Sequence, residues 1–78
     1  MPNHEDTELA LAALHRCTQN LRAGRIDAAS AAVRLHGVRA AKANELAEML
    51  ADALAFCERL TFITEADVRY EEQKDTDG

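Results

Sequence analysis

Three histidines and two cysteines are the side chains of this 78-residue sequence best suited to bind a metal or act as nucleophile or base: His4, His15, His36, Cys17 and Cys57. Their spacing assembles neither chemistry. His15 and Cys17 are two residues apart and would point in different directions on a helix. No pair of histidines or cysteines has a zinc-ligand spacing such as C-x-x-C or H-x-x-x-H. The three glycines are scattered, so no phosphate-binding loop is present. The expectation is therefore a non-enzymatic protein with no catalytic residues, no metal and no cofactor. Cys17 and Cys57 are read as small buried hydrophobes, since a redox role requires the fold to bring them together. His36 falls in an apolar stripe and is read as a packed histidine rather than a pH switch.

The charges carry more information, because they are sorted along the chain. Residues 15–42 hold Arg16, Arg22, Arg25, Arg34, Arg39 and Lys42 against Asp27, a net of +5. Residues 43–78 hold ten acids against Arg59, Arg69 and Lys74, a net of −7, and residues 1–14 add −3. Segregation of this kind gives an oriented field that steers a charged partner, or a second copy. Arg22, Arg25, Arg34, Arg39 and Lys42 on the basic side are candidate partner-binding residues. So are Glu65, Asp67, Glu71 and Glu72 on the acidic side.

Length allows one small domain, residues 1–78, which buries little surface on its own. Two cysteines form no dense disulfide framework, and oligomerisation is the remaining route to stability. No apolar h-region or membrane-length apolar run is present, so a cytoplasmic location without membrane association is expected. Sixteen alanines, a single proline and only three aromatic residues favour helix over sheet. Seven arginines against two lysines, with so much alanine, suit a GC-rich bacterial or phage genome.

The elements that position these residues are all helical. The pattern predicts a first helix from Thr7 to Arg22, with Leu11, Leu14, Thr18 and Leu21 on one face. Gly24 is placed as its stop and Asp27 as the next cap. A second helix is predicted from Ala28 to Leu60. One of its stripes is Ile26, Ala29, Val33, His36, Ala40, Ala43, Ala47, Leu50, Leu54, Cys57. Beside it runs Ala31, Leu35, Val38, Leu46, Met49, Ala53, Phe56, Leu60. Gly37 either bends this helix or breaks it, and the lack of a capping residue after it favours a continuous helix. Thr61–Thr64 reads as a break. Thr64 with Asp67 then resembles a capping box, with Ile63 and Val68 as staple, opening a third helix over Glu65–Gln73. Residues 1–6 and 74–78 are expected to be flexible ends.

A first helix of this length cannot cover the second, so Leu46, Met49, Leu50, Leu54, Phe56 and Leu60 are predicted to form a homodimer interface. The fold expected is an all-α helical hairpin or bundle, dimeric, of short, long and short helices.

Residues Ala31–Val38 resemble the first helix and turn of a helix-turn-helix motif, with Arg39, Lys42 and Asn44 opening the recognition helix. Val33 stands where such motifs usually carry alanine, and no Ser or Thr follows Val38. The favoured function is a small protein-binding module, comparable in size and composition to phage or mobile-element inhibitors such as anti-CRISPR proteins, or to small chaperones and adaptors. The alternative is a DNA-binding regulator. Net charge of −5 opposes a polyanion, so nucleic acid is the disfavoured partner.

Overall fold

In a computed structural model the chain forms two helices, α1 (His4–Arg34) and α2 (Gly37–Asp77), which pack against each other as a hairpin. The structure describes the backbone of residues 4–77 and the side chains of residues 5–70. The hairpin is a rod 62 Å long and 15–17 Å across.

One periodicity explains the packing. On α1 the buried and half-buried positions include Thr7, Leu11, Leu14, Thr18, Leu21, Gly24, Ala28 and Ala32, with Leu35 just past its end. On α2 they include Ala40, Ala43, Ala47, Leu50, Leu54, Cys57, Thr61, Thr64 and Val68. Spacings of three and four alternate without interruption on α2, which is the a/d seam of a heptad repeat. Leu54, Cys57 and Val68 on α2 and Ala28 on α1 are the buried apolar residues of this seam. Many alanines bring the two backbones close but bury little area, so the core is thin.

Three expected boundaries are corrected. Gly24 does not stop α1 and Asp27 caps nothing, because the seam continues through Ala28, Ala32 and Leu35. A Cβ at Gly24 would lie 3.8 Å from the Leu50 side chain, an ordinary contact, so nothing there demands a turn. The reversal comes instead at Leu35–His36, and Gly37 takes φ +63°, the left-handed conformation that glycine adopts without a steric cost. The helix expected to continue through Gly37 is thus broken there. His36, expected to be packed, is exposed in the turn.

The predicted break at Thr61–Thr64 is also absent. The Thr61 hydroxyl donates to the Cys57 carbonyl at 2.7 Å and the Thr64 hydroxyl to the Leu60 carbonyl at 2.8 Å. Both hydroxyls are satisfied within a continuing helix rather than at a cap. Val68 is buried in the seam while Ile63 is exposed, so the two make no staple. Among the described residues there is no separate third helix, and Glu65–Gln73 is part of α2. Of the ends expected to be flexible, residues 1–3 and 78 lie outside the described residues.

Candidate interaction surface

A heptad seam leaves two flanks on each helix, one residue before and one residue after the seam positions. About 100° of helix rotation separates each flank from the seam. In an antiparallel hairpin the two preceding flanks share one broad side of the rod, and the two following flanks share the other. The two sides of this hairpin differ in chemistry.

The following side is mixed: Ile26, Val33 and Phe62 are exposed there, separated from one another by polar and charged residues. His15 Nε2 lies 3.5 Å from Glu65 Oε1, an ion pair when the imidazole is protonated. A groove of about 280 Å³ runs beside it, lined by His15, Gln19, Arg22, Glu58, Phe62 and Glu65 with seam threonines at its floor. A second groove of about 570 Å³ continues toward the turn past Arg22, Arg25, Ile26 and Glu58. Two of the predicted basic residues, Arg22 and Arg25, and the acidic Glu65 therefore sit on one side of the rod.

The preceding side is apolar. On α2 it carries Leu46, Met49, Ala53, Phe56, Leu60 and Ile63, all exposed. Met49 and Phe56 keep 64% and 63% of their surface in water. The Arg59 guanidinium lies over the Phe56 ring at 5.5 Å and leaves most of the ring uncovered. Beside this ridge α1 presents Ala10, Cys17, Gly24 and Ala31, a column of small residues at successive heptads.

Four of the six residues predicted as a dimer interface lie on this stripe: Leu46, Met49, Phe56 and Leu60. Leu50 and Leu54 do not. Leu54 is 5% exposed and Leu50 faces Gly24, so both belong to the seam within the chain. The first helix, expected to be short, is 31 residues long and does not leave half of the second uncovered. What the periodicity reading missed is Ile63, exposed in register with the stripe and hidden by the supposed break at Thr61–Thr64.

The fold also rearranges the charges. Arg34 lies at the turn, its Nη1 donating to the Ser30 hydroxyl at 2.7 Å, and Arg39 is exposed just beyond it. Lys42 pairs with Glu45 at 3.3 Å on the surface. Asp67 is exposed on the apolar side, while the side chains of Glu71 and Glu72 lie outside the described residues. Residues 22–50, the turn half of the rod, carry five basic groups against Asp27, Glu45 and Glu48, a net of +2. The half bearing the chain termini carries the remaining −7.

The two cysteines meet. The Cys17 thiol is exposed at the rim, and hydrogen bonding with the buried Cys57 followed by desolvation holds it above the ordinary thiol value. No group of three or more His, Cys, Asp or Glu among the described residues is placed to hold a metal ion. No helix among them is long and apolar enough to cross a membrane. Compared with known protein families, curated proteins and solved structures, the chain matches none.

Proposed function

We propose that this chain is a non-enzymatic protein-binding module, a small inhibitor or adaptor that docks through helix surface. One observation carries the reading: an unbroken apolar stripe from Leu46 to Ile63 lies in water on a chain whose own core is already closed by the other face of the same helix. Contiguous exposed apolar surface of this kind marks a contact site. The two oppositely charged halves of the rod supply orientation, because a partner with complementary charge is steered before contact.

Arg22, Arg25, Arg34, Arg39 and Lys42, and Glu65, Asp67, Glu71 and Glu72, are the residues to test. A bacterial or phage source and a cytoplasmic setting fit the composition. The helix-turn-helix reading draws no support from two helices lying side by side along their length, since that motif crosses them at roughly 90–120°.

Affinity capture with the immobilised chain identifies the partner. Reversal of the basic or the acidic set should then slow association while leaving helicity intact, and added salt should do the same. Tight, sequence-dependent binding of a DNA duplex, lost on changing Arg39 and Lys42 to alanine, would replace this reading with the DNA-binding one.

A further inference from the structure

We infer that the apolar side of the hairpin is covered by a second copy of this chain, stacked with its turn at the opposite end, as an antiparallel four-helix bundle. The inference rests on the binding-module reading and names the occupant of its apolar stripe.

The first ground is geometric. The seam and the stripe on α2 are both heptad-spaced and lie about 100° apart. A helix in a four-helix bundle contacts two neighbours at roughly a right angle, so α2 has the two faces that such a position requires. The turn supplies one neighbour.

The second ground is that the stripe is complementary to itself. Leu46, Met49, Ala53, Phe56, Leu60 and Ile63 have spacings of three and four that read identically in both directions. When α2 lies antiparallel on a second α2, Leu46 meets the other copy's Ile63, Met49 meets Leu60, and Ala53 meets Phe56. One step further out on the same columns, Lys42 meets Asp67 and Arg39 meets Tyr70. An apolar centre is thus flanked at both ends by opposite charges and a cation against an aromatic ring.

The third ground fixes the position of the axis. A two-fold axis through the α2 stripe crosses it between Leu54 and Ala55. The α1 column Ala10, Cys17, Gly24, Ala31 is centred between Asn20 and Leu21. Thr18 sits opposite Cys57 at 3.2 Å, and stepping two to three residues from this contact reaches both centres together. The large ridge and the small column are therefore level along the rod, and one axis serves both. Small residues facing small residues let the two α1 helices approach closely.

Charge then selects the direction. Stacking with both turns at the same end would lay one −7 half on the other, whereas the antiparallel arrangement lays each −7 half on a +2 half. Area agrees. The single chain exposes 6052 Å², against about 4,700 Å² expected of a compact folded monomer of its mass. The excess surpasses the roughly 800 Å² that each partner contributes to a stable interface.

Sedimentation or light scattering across a micromolar concentration series tests this. The wild-type chain should have twice the mass of one chain. Phe56→Glu should give a monomer that keeps its helical circular dichroism, because Phe56 is outside the seam. Lys42→Glu and Asp67→Lys should each weaken the dimer about 10-fold, and the double variant should restore it. A wild-type monomer throughout the series would overturn the inference. So would a dimer whose two charge reversals fail to rescue each other, since in any other register Lys42 and Asp67 do not meet. The binding-module reading fails separately: a monomer that docks a protein through Phe56 leaves that reading standing and removes only the second copy.

Discussion

The Thr18 hydroxyl and the Cys57 thiol lie 3.2 Å apart inside the seam, at a layer where a heptad helix pair would ordinarily carry leucines. The Thr18 hydroxyl reaches the Leu14 carbonyl at 3.0 Å and the Cys57 thiol reaches the same carbonyl at 3.7 Å, so the two side chains share one backbone acceptor. Cys17, exposed at the rim, is close enough to Cys57 for that contact to raise its thiol. Among the described residues no buried polar side-chain atom lacks a partner. A satisfied polar layer in a thin core favours one register of the two helices, since sliding by a heptad would set Thr18 and Cys57 against Leu50 and Leu11 in one direction and Cys57 against Arg25 in the other.

Thr18→Ala removes the hydroxyl beside the Cys57 thiol, leaves that thiol only the Leu14 carbonyl at 3.7 Å, and opens a small void. The expected loss is about 1 kcal/mol in urea denaturation. Thr18→Val keeps the shape and should lose less, because it removes the hydroxyl without the void. Equal losses for both variants would show that the hydroxyl itself, and not the packing, holds the layer.

Leu54→Ala should cost about 2–4 kcal/mol, since Leu54 is among the most buried side chains in the seam. Much of the stability of so small a domain would go with it. Leu50→Asp places a charge against Gly24 in the same seam and should unfold the hairpin rather than merely separate chains. Phe56→Ala, measured at a dilution where chains are single, should stay within about 0.5 kcal/mol of wild type. If Phe56 and Leu54 variants lose equally at that dilution, the seam has been assigned to the wrong face.

The two glycines should respond with opposite signs. Gly37→Ala forces a Cβ into the left-handed region and should destabilise by about 1 kcal/mol, although the space around it is open. Gly37→Asn should recover part of that loss. Gly24→Ala adds helix propensity and an ordinary contact with Leu50, and should stabilise the single hairpin by about 0.5–1 kcal/mol. Urea midpoints of the three variants read this directly.

Cys17 gives a pH dependence of known sign. Its thiol is raised above the ordinary value of 9.0, first by the hydrogen bond to Cys57 and then by desolvation. A group raised on folding contributes stability that is complete below its unfolded value and is lost as pH rises through its folded one. The stability difference between wild type and Cys17→Ala should therefore be constant from pH 6 to 8 and shrink above about pH 9. Alkylation at neutral pH should modify Cys17 slowly and Cys57 only on unfolding, because Cys57 is buried.

The sequence by itself determined the class and the faces outside residues 26–36, where the expected stripe of Ile26, Ala29 and Val33 is exposed and Ala28, Ala32 and Leu35 turn inward instead. Alanine content and three-four spacing specified helix, and Leu11, Leu14, Thr18 and Leu21 were assigned to the inner face of α1 where the structure has them. The run Ala40, Ala43, Ala47, Leu50, Leu54, Cys57 was legible as one stripe of α2, and Leu46, Met49, Phe56 and Leu60 as another. Periodicity is a local property, and these positions follow from it alone. Which stripe closes the hairpin is not local. Both are apolar and lie side by side on one helix, and only the opposing seam of α1 decides that Leu50 and Leu54 go inside. The turn has the same character. Gly24 followed by Asp27 is the better local stop signal, yet a reversal there would pair helices of unequal length and leave Ala28, Ala32 and Leu35 without a partner. Reversal at Gly37 matches two long seams layer by layer, and that summed burial outweighs a cap. The charge pattern changed for the same reason: folding back at Gly37 set Glu45 and Glu48 among the arginines, so the acidic and basic segments of the sequence became the two ends of a rod only in three dimensions.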